Sequence, residues 1–188
     1  VYNGLVKKER RAIHERIGLV MEQLFQDRLP EFYETLAYHF KQGQSITKAV
    51  SYLMKAGEKS LKRYAVEEAH RYYQEAYDLI LNITEKTRED ALLLIDLILD
   101  WAMVFYYRAD CIAFEKIFLS HEELAKTLDD QERLGMFYAW MGLIAYFREK
   151  YKDSYEYLQL ASKIGETIQN EKIIGYVCTW LTWTCSEL

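Results

Sequence analysis

A single proline and only eight glycines in 188 residues leave little of the material from which turns and irregular loops are made. That scarcity argues against a loop-rich design and against a β-sandwich, whose many short strands need turn residues at regular intervals. No clean strand alternation occurs, and no Asn-Gly or Asp-Gly hairpin turn separates such runs. Long apolar runs are missing too. Ala91–Leu99 is an apolar-rich stretch that Asp96 interrupts, whereas a spanning helix needs ~18 or more apolar residues. The basic cluster in Val1–Arg11 has no apolar segment after it, so no signal peptide is read there and a cytoplasmic, membrane-free protein is expected. Basic charge is not in excess: Lys and Arg number 24 against 29 Asp and Glu, a net charge of −5. Nucleic acid is therefore not the expected partner, because phosphate binding wants a basic face. The cluster Lys7, Lys8, Arg10, Arg11 and Arg16, interleaved with Glu9 and Glu15, reads as a solvated helix face. Cysteine is sparse and odd in number: Cys111, Cys178 and Cys185, with no CxxC pair. Cys178 and Cys185 would share a helix face without being able to bridge. Reduced, buried thiols are expected.

Catalytic signatures are absent as well. No glycine-rich phosphate loop, HExxH, CxxC or GxSxG occurs. His14, His39, His70 and His121 fall on four different predicted helices, and His39, between Tyr38 and Phe40, reads as a packed or rim histidine. The carboxylates come as neighbours (Glu67 and Glu68, Glu122 and Glu123, Asp129 and Asp130), which diverge on a helix or mark its start. No catalytic residue, cofactor or metal ligand is assigned.

What is present is helical periodicity, nearly without interruption. Leu5, Ile13, Ile17, Val20, Leu24 and Phe25 set out an amphipathic helix that should stop near Asp27–Arg28. Pro30 suits the first turn of a second helix, which carries Phe32, Leu36 and Phe40 and ends at Gly43. Ser45 is placed to cap a third, to about Arg63, with Val50, Leu53, Met54 and Leu61 inward; a fourth follows from Val66 to about Asn82. Thr87 and Asp90 form a capping pair before Ala91–Tyr107. Asp110 caps Ile112–Leu128, and Asp129 with Glu132 starts a helix through Phe147. Lys152–Ile168 follows, and Asn170 caps a last helix. Trp101, Phe105, Trp140, Tyr146, Trp180 and Trp183 recur near helical spacing and are mostly assigned to packing between helices. The expected class is all-α, about nine helices in antiparallel succession.

A packing code repeats inside this pattern. Gly142 and Ser154 are small residues at a crossing, accompanied by Tyr138, Met141, Leu158 and Ala161; Ala37 and Ala49 repeat the arrangement with Leu36, Phe40, Leu53 and Ala56. Two antiparallel helices approach closely only where the crossing carries no bulk, and large residues then fill the space between hairpins. Ala69, Tyr73 and Ala76 echo the second-helix spacing once more, and Gly57 is assigned to a close crossing. This arrangement resembles the tetratricopeptide repeat, a helix–turn–helix unit of roughly 34 residues. Further stretches resemble the C-terminal repeat region of large bacterial signalling proteins. They are residues 7–14 (KKERRAIH), 36–40 (LAYHF), 52–59 (YLMKAGEK), 106–110 (YYRAD), 135–140 (GMFYAW) and 175–180 (GYVCTW). In those proteins an ATPase module precedes the repeats, and many carry a class III adenylate/guanylate cyclase domain or resemble maltose-activator-type regulators. The resemblance implies a right-handed α-solenoid of antiparallel hairpins. It assigns residues 1–28 to a linker helix from a preceding module and residues 29–188 to a repeat region cut within the first helix of a further repeat. The apolar face of that last helix is then expected to lack its cover, so self-association or fraying is expected there.

The same resemblance places a concave groove on the first helix of each hairpin. It is lined by Met136, Ala139, Leu143 and Tyr146, and in the earlier hairpin by Glu31, Glu34, Tyr38 and Lys41, of which Tyr38 and Lys41 are taken as the binding candidates. Neither set carries the Lys and Asn clamp that chaperone-binding repeats use for a C-terminal carboxylate. An apolar, aromatic groove suits a helix or strand of a partner or a small ligand. The expected function is a non-catalytic interaction and regulatory scaffold, binding a protein, a peptide or another domain of its own chain. The alternative is a small-molecule sensor controlling an attached ATPase, cyclase or transcription regulator.

Overall fold

The computed structural model describes residues 2–188, with side chains from position 6 onward; the expectations placed on Val1 and on the Leu5 side chain lie outside the described residues. Among the described residues every regular element is a helix. The contacts form two compact units, one ending at Leu97 and one beginning at Ile98.

The first unit holds α1 (Tyr2–Leu24), a 3-10 helix (Gln26–Glu31), α2 (Tyr33–Gly43), α3 (Ile46–Lys62), α4 (Val66–Leu81) and the start of α5 (Arg88–Arg108). α1 packs on α2, α2 on α3 and α3 on α4. Leu36, Phe40, Val50, Tyr73 and Ile80 form its buried centre. The second unit holds the rest of α5, α6 (Cys111–Thr127), α7 (Gln131–Phe147), α8 (Tyr151–Thr167) and α9 (Glu171–Glu187). There α7 is central, packing on α6, α8 and α9. The expected boundary at residue 28 falls within the 3-10 helix, and α1 belongs to the same compact unit as α2–α4.

Three helix starts follow the capping residues expected of them. Asp110 accepts from the Ala113 N–H, and Asn170 accepts from those of Lys172 and Ile173. Thr87 and Asp90 form a reciprocal box: the Thr87 N–H donates to Asp90 Oδ2 and the Asp90 N–H to Thr87 Oγ1. Thr47 at the start of α3 also donates to Asp90, tying two helix starts together. Hydrogen bonds from Thr87 hold the Asp90 carboxyl below its ordinary range against the opposing effect of burial. Asp90→Ala should therefore cost about 1–2 kcal/mol of stability at pH 7. Because a lowered carboxylate pKa contributes stability only while the group is ionised, that difference should shrink as the pH falls below about 4. Denaturant melts of both proteins at pH 7 and pH 3 check this.

Three helix starts depart from expectation. Pro30 lies inside the 3-10 helix, not in the first turn of α2, because Arg28 leaves helical geometry (φ −131°, ψ 17°) and Phe25 stacks on Phe32 across the segment at 4.4 Å. Ser45 precedes α3, but its hydroxyl donates to Glu15 of α1 and makes no cap bond. Asp130, not Asp129, caps α7, accepting from the Arg133 N–H.

Asp129 instead takes a left-handed conformation (φ 51°), and so does one residue in each of five other links: Gln44, Tyr64, Ala109, Glu149 and Gln169. Ala109, Asp129, Glu149 and Gln169 stand twenty residues apart, as do Gln44 and Tyr64. Helices of 17 residues joined by three-residue links produce this period in α6–α9. A hairpin thus spans forty residues, longer than the roughly 34 of a tetratricopeptide unit. Aligned on these turns, Ala37, Ala102 and Gly142 occupy one position on the first helix, all buried. Ala49, Phe114 and Ser154 occupy one on the second. Ser154 donates to the Gly142 carbonyl at 2.8 Å, so the expected close crossing of α7 and α8 is present. Gly57 likewise lies against the Tyr73 ring.

The first helix packs contrary to its periodicity. α1 meets α2 through its polar side, with Gly18 against the Phe40 ring, while Ile13, Ile17, Val20 and Leu24 are exposed. The thiols also depart from expectation. Cys178 and Cys185 are exposed because the inward stripe of α9 is Ile173, Val177, Trp180 and Thr184. Much of the outer face of α9 is small and polar (Gly175, Cys178, Thr179, Thr182, Cys185), with Trp183 exposed near its end.

Candidate functional site

The residues expected to line a groove on α7 face inward. Ala139 and Leu143 are fully buried and Met136 nearly so. The helix is buried on all sides from Gly135 to Ala145, which closes any groove at these positions. Trp140 fixes this arrangement, its ring lying 5.7 Å from Phe114 of α6 and 5.2 Å from Trp180 of α9. The sequence carries the signal: no charged residue occurs from Gly135 to Phe147, the mark of a helix apolar all round and hence internal. Of this set only Tyr146 reaches the surface, half-exposed at the end of the helix.

On α2 the candidates are exposed but engaged. Tyr38 meets the edges of His14 and His39, with centroids 5.6 and 5.4 Å away. Lys41 pairs with Glu75 of α4 at 2.6 Å, and Glu34 pairs with Lys59 of α3 at 2.8 Å. These charges tie neighbouring helices together; being partly exposed, each contributes no more than about 1 kcal/mol.

Around Tyr146 the fold assembles a feature that spacing alone did not reveal. Tyr106 and Tyr107 end α5, Tyr146 and Phe147 end α7, Tyr151 begins α8, and Trp183 lies near the end of α9. Their rings touch in sequence: Tyr107 to Tyr106 at 5.7 Å, Tyr106 to Phe147 at 5.9 Å, Phe147 to Tyr146 at 5.7 Å, and Tyr146 to Trp183 at 6.1 Å. Tyr151 joins Tyr146 at 5.8 Å. Tyr106, Tyr107, Phe147 and Trp183 are each 41–48% exposed, so the rings form a continuous surface rather than a core. It exists because three helices of the second unit end on one side, bringing together residues about forty positions apart.

Beside the rings, Arg148 and Lys150 both bind Glu115, at 3.2 and 2.5 Å. The hydrogen bond from Lys150 leads in holding the Glu115 carboxyl below its usual range, against burial. A cleft of about 490 Å³ adjoins Tyr151, lined also by Glu149, Lys152, Asp153 and Glu187. A second of about 490 Å³ lies in the first unit between Gln44–Lys48, Asn82–Thr84 and Asp90. Among the described residues no three His, Cys, Asp or Glu side chains converge as metal ligands, and no helix is long and apolar enough to cross a membrane. No protein-family model matches the chain, and neither does any curated protein sequence.

Proposed function

We propose that the chain is a non-catalytic, helical-repeat interaction module that presents an aromatic surface to a protein or peptide partner. We further propose that it serves as a tetratricopeptide-like regulatory scaffold within a larger bacterial signalling protein of the cyclase or ATPase type, as the sequence resemblance implies. The observation that carries the interaction reading is the contiguity of Tyr107, Tyr106, Phe147, Tyr146 and Trp183 at the surface. Single exposed apolar side chains need no explanation, whereas a joined patch of them supports a contact site. Aromatic side chains also suit this use, contributing large contact area at low entropic cost.

The test replaces Tyr146 and Phe147 together with Glu, leaving the buried Leu143 alone. Expected is at least a tenfold loss of affinity for a partner captured by the wild-type chain, with helical content and Tm nearly unchanged. Unaltered capture would remove the aromatic surface from the function. A chain that captures no protein but melts several degrees higher with one metabolite would favour the small-molecule sensor, seated in one of the two clefts.

A further inference from the structure

α1 is held by polar contacts on one side and exposes its aliphatic residues on the other. Its anchors are Glu15 with Ser45, Glu22 with Lys48 and Tyr52, and His14 with His39. The last of these is unusual in chemistry. His14 Nδ1 and His39 Nδ1 are 3.0 Å apart, with ring centroids at 5.1 Å. Such a bond needs one Nδ1–H and one bare Nδ1, so it holds one proton between two rings. Doubly protonated, the pair would aim two N–H donors and two positive charges at each other.

We propose that His14 and His39 form an acid-released latch between α1 and α2, closed when the pair shares one proton and opened when both rings are charged. Among the described residues no carboxylate is hydrogen-bonded to either ring to hold the second proton. On α1, Glu15 accepts from Ser45 through Oε1 while its Oε2 lies buried beside Gly43, and Arg10 and Arg11 are positive. On α2, Lys41 is paired with Glu75 of α4 and Glu34 with Lys59. From α3, Lys48 is held by Glu22, and Lys55 lies over the Tyr52 and Tyr33 rings. In the 3-10 helix Arg28 and Glu31 pair with each other, next to Asp27. Among the described residues no carboxylate lies within ion-pair reach of either imidazole. Burial first, and the charge of His14 second, hold the His39 pKa below its ordinary value.

The sign follows from linkage. The docked helix binds fewer protons than the released one, so docking is fully favoured above about pH 6.5 and weakens as the pH falls below it. Each pH unit between 6.5 and the second protonation of the docked pair raises the opening equilibrium about tenfold. The other anchors are not expected to open in that range. Glu22, pushed up by burial but held down more strongly by hydrogen bonds from Lys48 and Tyr52, stays ionised.

Amide hydrogen exchange on the full chain, corrected for the intrinsic pH dependence, tests the latch. Between pH 7.5 and pH 5.0 opening of α1 should rise tenfold or more while that of α7 stays constant. The double variant His14→Asn/His39→Asn, which keeps a neutral bonding pair, should lose this dependence. An unchanged α1, or a variant with the same dependence as wild type, would overturn the proposal. Should the variant release α1 at both pH values, titration of the wild-type imidazoles by NMR decides. Two well-separated protonation steps support the latch, and a common midpoint near 6.5 overturns it.

Discussion

Replacing Gly142 with valine is expected to lower the stability of the second unit by about 3 kcal/mol, the upper range for an overpacked interior. A Cβ at this position would lie 2.5 Å from Leu158 Cγ and 3.3 Å from the Ser154 carbonyl oxygen. Leu158 is fully buried, so it has no space to withdraw. The helices must part instead, stretching the Ser154 bond to the Gly142 carbonyl and the Ser154–Thr184 bond behind it. For a unit of this size the Tm should drop by ~10 °C or more. Gly175→Ala supplies the control. Nothing lies within 4 Å of a Cβ there, so only helix propensity acts, and alanine should gain about 0.5–1 kcal/mol. Calorimetry on both variants separates the effects. Equal small changes would mean that α7 and α8 do not cross closely at Gly142.

Trp140→Ala is expected to cost about 4 kcal/mol, within the range for emptying a buried aromatic site. Its ring is 3% exposed and contacts Phe114, Tyr176 and Trp180, so it joins α6, α7 and α9 at one point. Those neighbours are themselves large rings anchored on two other helices, α6 and α9, and closing the void requires all three rings to move. Trp183→Ala, at a ring 41% exposed, should change stability by less than about 1 kcal/mol. The pair of variants distinguishes packing tryptophan from surface tryptophan by urea denaturation. Comparable losses at both sites would place Trp183 inside the core and weaken its assignment to the exposed array.

Legibility of these features in sequence depended on their range. Asp110, Asn170 and the Thr87–Asp90 box act on backbone amides within three residues, and local spacing located them. Asp129 and Asp130 differ by one position, and only the left-handed turn at Asp129 decides which carboxylate reaches the helix start. A repeat template places Ala139 and Leu143 on a groove. The uncharged run around them pointed inward instead, because a helix flanked on three sides has no face left for solvent. The aliphatic stripe of α1 was equally plain, yet periodicity reports which residues share a face and not what that face meets. The aromatic array joins residues from the ends of three helices and the start of a fourth, and no linear spacing expresses that convergence.

The twenty-residue interval between left-handed turns also restricts how such a chain can grow or shrink. An insertion of one or two residues within a helix would rotate every later side chain by ~100° or ~200° about the axis. Small crossing residues such as Ala102 or Gly142 would then swing away from their neighbours. Adding a single helix with its link would keep the rotation but reverse the direction in which the chain leaves. Only an increment of a whole hairpin, forty residues at the spacing of Ala109 and Glu149, preserves both. Natural length variants of this architecture should therefore differ by that quantum, with shorter insertions confined to the longer link between Asn82 and Arg88.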